Sequence, residues 1–244
     1  MTTGLLLHLS APLQSWGGPQ GGRVRDTHPH PTRSALTGLI AAAQGRPRGS
    51  DLTDLDQLHY TLRIDRPGRR IPDFHTVGGG YPKDRTVINA NGGRRGEALL
   101  FDDWYLADAA FTVAVTGPTP LIDQAEAALR SPVYPPHLGR RACPPDTPVL
   151  ITTTPTPEAA LEQFPLHRDP DPHRDTVTIT FISEHPPPGN PHLPPTRSIQ
   201  DVPLPKRTWT SRHLWESRRT LPNSLCAGRS TTYLNALTHY RTTH

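Results

Sequence analysis

Three stretches of this 244-residue sequence carry residue types that handle anions. The first is Leu9-Ser10-Ala11-Pro12-Leu13-Gln14-Ser15-Trp16-Gly17, followed by Pro31-Thr32-Arg33-Ser34-Ala35-Leu36. A strand that turns into a helix starting at Arg33 and Ser34 offers free N–H groups, a helix dipole and a guanidinium, and phosphate is the natural ligand. The structural alternative is that Trp16 plugs the core and Ser34 only caps the helix. The second stretch is Tyr134-Pro135-Pro136-His137-Leu138-Gly139-Arg140-Arg141-Ala142-Cys143-Pro144. Paired arginines on a proline-stiffened loop hold phosphates or stack on an unpaired base, although a lone Arg-Arg is commonly a solvated surface pair. The third stretch surrounds Gly78-Gly79-Gly80 and Gly92-Gly93-Arg94-Arg95-Gly96, with His75 and Arg85 nearby. It reads as a projecting hairpin ordered on RNA or on a neighbouring subunit, with a plain flexible loop as the alternative. The RNA-contacting set expected from these stretches is Gln14, Trp16, Arg33, Ser34, His75, Arg85, Arg94, Arg140, Arg141 and Cys143.

Cutting RNA without a metal needs a base for the 2′-hydroxyl proton, an acid for the leaving oxygen and a cation for the developing charge. Thirteen histidines invite that chemistry, among them His28, His30, His75 and His137, with Lys83 near the third stretch. They form no recognisable acid–base constellation, so no catalytic residue is expected. His28 and His30 lack the spacing of metal ligands, and no metal or cofactor is expected.

The elements that must position these residues follow from apolar spacing. Residues 4–9 read as a buried strand. Leu36, Leu39, Ile40 and Ala43 give a helix from about Thr32 one apolar face before Gly45 ends it. Tyr60-Asp65 is a second strand. Tyr105-Val115 alternates as a half-buried third strand, and the segment of about 66–104 between the two reads as a thumb-like insertion. Pro118 and Pro120 introduce a second helix, with Leu121, Ala125, Ala128 and Leu129 on one side, and Val149-Thr153 is a fourth strand. The order β-α-β-β-α-β is α+β and ferredoxin-like, as in RNA-recognition modules, with one sheet face open to ligands. Residues 1–154 would form this domain. Residues 155–218, with a strand at Thr176-Ser183, would form a small β-rich lobe, and 219–244 an extension that is helical around Tyr233-Leu237 or disordered.

Lys+Arg at 26 against Asp+Glu at 22 gives a net charge of +4, and Lys83 and Lys206 are the only lysines. An arginine bias suits RNA, and it is also what a GC-rich genome produces. Two cysteines are too few for a disulfide framework and fit a reducing cytoplasm. Nothing approaches the ~18–20 apolar residues of a membrane span. Thirty prolines imply long ordered loops.

In order and rough spacing, PLQSWG, PTRSALTGLIAA, DFHTVGGG, YLADAAFTVAV, YPPHLGRRACP and DVPLPKRTWTSRHLW resemble the CasD family of type I-E CRISPR systems, over residues 4–218. The resemblance implies a RAMP-type ferredoxin-like fold with a thumb. It also implies a non-catalytic subunit of the Cascade complex, one copy per complex, that holds the 5′ handle of the crRNA. The expected neighbours are the backbone subunit CasC and the large subunit CasA, and the complex as a whole meets target DNA. Relatives in type I-C systems cut repeat RNA, which is the alternative function.

Overall fold

The computed structural model describes residues 3–17, 23–86, 88, 91–94, 97–187, 189–204 and 208–243; Arg95 lies outside them. The first half contains β1 (Gly4–Ser10), β2 (Leu13–Gln14), β3 (Val24–Arg25), α1 (Arg33–Ala43), β4 (His59–Arg66), β5 (Arg69–Val77), β6 (Leu99–Ala107), β7 (Ala110–Thr116) and α2 (Thr119–Arg130). There follow β8 (Leu150–Thr154), α3 (Pro157–Ala160), β9 (Thr176–Ser183), β10 (Arg197–Leu204), β11 (Thr208–Pro222) and α4 (Ser230–Thr243). Strands β4, β7, β1 and β8 lie side by side in that order, each antiparallel to its neighbour. With α1 and α2 as crossovers, this is the ferredoxin-like arrangement.

One face of the sheet is apolar for the expected reason. Leu5, Leu7 and Leu9 of β1 and Val113 and Val115 of β7 alternate toward α1 and α2, which bury Leu36, Leu39, Ile40, Ile122, Ala125 and Leu129 in return. Leu121 and Ala128 sit only partly buried beside them. Thr32 starts α1: its Oγ1 accepts the Ala35 N–H at 3.3 Å.

The other face is not open, contrary to the sequence expectation. Leu6, Ala114, Ile151, Ile179 and Phe181 on the strands pack against Phe164 and against Tyr233, Leu237 and Tyr240 of α4. Burying each of these large side chains stabilises the fold by ~1.5–3 kcal/mol. The weak apolar pattern around Tyr233-Leu237 is therefore the inner side of a docked helix. Its cover explains why every residue of β1 is buried, and why β7 is buried on both faces rather than on one.

A second correction concerns the chain between the thumb and the core. The alternation from Tyr105 to Val115 is two strands, broken at Asp108, whose φ of 56° turns the backbone. The first of them, β6, pairs with β5 from Arg69↔Ala107 to Val77↔Leu99, and this hairpin is the thumb. Its partners on the other edge are β2 and β3. The strands of the small β-rich C-terminal part extend the main sheet: β9 pairs with β4, and β11 with β9. The first part of β11 also pairs with β10 as a hairpin.

Candidate nucleic-acid interface

The proline-stiffened loop is fixed against the end of β2. The Ser15 N–H donates to Leu138 O at 3.1 Å, the Leu138 N–H to Cys143 O at 2.8 Å, and the Cys143 N–H to Arg140 O at 2.9 Å. Gly139 makes the close approach possible, with φ at +91° and an added Cβ only 1.6 Å from Ser15 O. Leu138 and Cys143 anchor the loop inward, and burial raises the Cys143 thiol pKa. Cys143 thus holds the loop and presents no surface.

Arg140 then reaches across to the thumb. Its Nη2 donates to Arg25 O at 2.9 Å, its Nη1 lies 3.2 Å from Asp103 Oδ2, and its guanidinium sits 4.6 Å over Tyr105. Arg25 approaches the same carboxylate, Nε to Oδ1 at 2.7 Å, and lies over Phe101 at 4.6 Å. His75 completes the corner, with Nε2 3.0 Å from Arg25 Nη2 and its ring stacked on Phe101. Two guanidiniums against one carboxylate leave a positive excess. Arg25 Nε, Arg140 Nη1, His75 Nδ1 and Asp103 Oδ1 are shielded from solvent and close together, yet form no hydrogen bond of good geometry. They meet instead as ion pairs around the single Asp103 carboxylate. Exposed Arg141 and Tyr134 stand on the same loop.

The other expected residues fall elsewhere. Gln14 and Trp16 are fully buried: the indole N–H donates to Gln14 Oε1 at 3.1 Å, and Gln14 Nε2 to Ala109 O at 2.8 Å, tying β2 to the start of β7. For Trp16 the plug alternative describes the geometry, because an enclosed indole has no face left for a base. Arg33 turns inward, pairing with Glu184 at 2.7 Å and donating to Asp56 O at 2.8 Å. Ser34 is half-buried, with Oγ 3.3 Å from Thr32 Oγ1. Arg85 and Arg94 are exposed beyond the paired part of the thumb, where Arg94 donates to Thr86 O at 3.0 Å. The Arg140 loop, His75 and the end of β2 therefore meet, whereas Arg33 and the thumb tip stand apart. Sequence reasoning missed Arg25 and Asp103, whose only local signals were Arg23-Val24-Arg25-Asp26 and an acidic pair in β6.

The histidines with the most perturbed chemistry lie inside. On the covered face, Arg63, Thr112 and His8 occupy adjacent positions of β4, β7 and β1. Arg63 Nε donates to Asp65 at 2.7 Å, and its Nη atoms to the carbonyls of Phe164 and Pro165. His8 Nε2 is 3.0 Å from His167 Nδ1, and the His167 ring stacks on Tyr233 at 3.8 Å. Burial, reinforced by Arg63 and Arg66, lowers the His8 pKa to about 3; burial followed by the His8 and Arg66 charges does the same for His167. Both rings stay neutral and beyond the reach of a substrate. Among the described residues no three His, Cys, Asp or Glu side chains converge as a metal site.

The chain as a whole has counterparts among known proteins. A family profile described as CRISPR-associated protein (Cas_Cas5) matches residues 4–219. The CRISPR system Cascade subunit CasD of Escherichia coli K12 is 35% identical over 168 residues, covering 63% of this chain and 72% of that protein. A chain of a solved CRISPR RNA-guided surveillance complex superposes with a TM-score of 0.84 at 39% identity, over 98% of this chain and 99% of that one. That span takes in the C-terminal helix, which had no recognised counterpart in the sequence. A solved Cas protein superposes with a TM-score of 0.62 at 27% identity, covering 91% and 97%. The chain belongs to the Cas5 family of CRISPR-associated proteins.

Proposed function

We propose that this chain is a non-catalytic subunit of a type I-E Cascade complex that holds and caps the repeat-derived 5′ handle of the guide RNA. The observation that carries the reading is the corner, where Arg25 and Arg140 share one shielded carboxylate beside exposed Arg141. A phosphodiester would balance the excess positive charge, and exposed Tyr134 on the same loop offers a stacking face. The relative's designation as a Cascade subunit, and the RNA-guided complex that contains the superposed chain, support guide RNA as the strand bound. In such an assembly base pairing by the guide reads the target, and this subunit contributes position. We place CasC and CasA as its protein neighbours, with one copy per complex.

The non-catalytic assignment is supported by the state of the histidines. His8 and His167 are sealed under α4, and His75 is occupied by Arg25 and Phe101. Purified protein mixed with repeat RNA, with and without Mg²⁺, is expected to retain it on a filter and return it full length on a denaturing gel. Arg140→Ala with Arg141→Ala should weaken retention by ~1–3 kcal/mol; unchanged retention would remove this loop from the interface. Cleavage at the 5′ boundary of the handle, abolished by His75→Ala or His137→Ala, would overturn the non-catalytic reading.

A further inference from the structure

A second basic site opens at the root of the thumb. The turn between β4 and β5, the break at Asp108 and the chain ahead of α4 enclose a cleft of about 540 Å³, within the range of about 300–1,000 Å³ typical of small-ligand sites. Four arginines line it, Arg66, Arg69, Arg168 and Arg229, against the carboxylates Asp108 and Asp169. Asp65, deeper in the wall, is already paired with Arg63. Asp108 is held by Arg66 at 3.0 Å and by Arg229 at 2.7 Å, and Asp169 by Arg229 at 2.7 Å. Arg69 and Arg168 make no side-chain hydrogen bond or ion pair among the described residues, so two positive charges face the cleft uncompensated.

The frame is rigid. Gly68 has φ at +71°, and a Cβ there would come within 2.8 Å of Ala107 O. Arg66 is largely buried, donating to Asp108 O at 3.1 Å and to His167 O at 2.7 Å. Strand β5 contributes to both the cleft and the surroundings of the corner. Neighbouring residues of a strand face opposite ways, and β5 carries Arg69 beside Arg70. Arg70 pairs with Asp26, next to Arg25 of the corner, while Arg69 lines the cleft. At this point one face of β5 thus serves the cleft and the other the surroundings of the corner.

We propose that this cleft is a second phosphate site for the same single-stranded RNA. Arg69 and Arg168 contact its phosphates, and the Arg66–Asp108–Arg229–Asp169 network holds the frame. The proposal rests on the reading of the chain as a guide-RNA binder. A polynucleotide suits the cleft because two guanidiniums face it uncompensated and the same strand, β5, also carries His75 to the arginine corner. Free inorganic phosphate presents the same oxygens, so the test must separate the two sources.

The test uses the full-length chain and a short single-stranded repeat RNA, with affinity followed against salt concentration. Arg69→Ala with Arg168→Ala breaks no contact of the fold and should leave the melting temperature unchanged. Affinity is expected to fall about tenfold, and the log–log salt slope to flatten by about 1.4, as for two phosphate charges on a single strand. Arg69→Glu with Arg168→Glu should enlarge both effects. Arg25→Ala with Arg140→Ala is measured in parallel. Wild-type affinity and slope in the cleft variants, with binding lost in the corner variant, would overturn the cleft site and leave the functional reading standing. Inorganic phosphate that stabilises the wild type but not the double variant, with RNA binding unaffected, would mark a free-anion site and equally overturn the proposal. Absence of RNA binding by the wild type would remove the functional reading itself.

Discussion

Gly139→Ala probes how the arginine loop is held in place. At φ +91° an L-residue is strained by ~1–2 kcal/mol. The new Cβ would stand 1.6 Å from Ser15 O and 2.6 Å from Ser15 C, both backbone atoms. Because real Cβ atoms essentially never approach closer than 3.0 Å, the loop or β2 must shift by at least 1.4 Å. β2 cannot yield, since the adjacent Gln14 and Trp16 are fully buried and bonded to each other and to Ala109. The loop must lift, breaking the bond from the Ser15 N–H to Leu138 O and withdrawing Arg140 from Asp103. Strain, overpacking and one lost hydrogen bond together amount to about 3–5 kcal/mol. For a chain of this size that is a fall of about 6–20 °C in melting temperature. Calorimetry reads the stability and filter retention of repeat RNA reads the site, with Ala142→Gly as a control for general loop loosening. A Gly139→Ala variant with wild-type melting and wild-type retention would refute the account of the loop.

Two further outcomes concern the covered face. Arg63→Met removes the cation from Asp65, which at 0% exposure keeps, among the described residues, Thr112 Oγ1 and the His167 N–H as donors. Denaturant titration should show a loss of ~3–5 kcal/mol, partly recovered by adding Asp65→Leu, since a lone buried charge costs more than no pair; a single variant no weaker than the double would contradict this. His8 and His167 titrate at about 3 when folded and His30 at about 4, all below the unfolded value of about 6.5. Only the unfolded chain takes up these protons below about pH 6.5, so stability falls as pH drops, by ~2 kcal/mol per histidine between pH 7 and 5. Unfolding midpoints that stay flat over that interval would show that these rings are not buried neutral.

What the sequence disclosed and what it withheld divide along physical lines. β1, α1 and α2 were legible because each buries an unbroken apolar pattern whose period is local. β5 was not: Arg69-Arg70-Ile71-Pro72-Asp73-Phe74 is mostly exposed, and only pairing with β6 makes it a strand. β6 and β7 merged because alternation runs straight through Asp108, where a backbone turn changes the sheet without changing the pattern. The cover over the second face could not be seen, since His8, Arg63 and Thr112 look like solvent-facing polar positions until Phe164, Pro165, His167 and Tyr233 are brought over them from distant segments. In the site, the Arg140-Arg141 loop announced itself through clustered prolines and paired charge. Arg25 did not, because its role comes from a two-residue strand beside β6. Arg33 shows the converse: a residue type suited to anions is used internally once Glu184 is folded against it.

The central claim is that this chain grips one end of a guide RNA inside one assembly and leaves the strand uncut. Affinity purification of the full-length chain, expressed with the other Cascade subunits and a repeat-containing transcript, tests it most directly. The account predicts a stable particle containing one copy of this chain and an intact guide RNA whose 5′ handle is protected from nuclease, with protection lost in Arg25→Ala with Arg140→Ala. A particle that assembles with its handle unprotected by this chain, or a chain recovered free of both RNA and subunits, would contradict it.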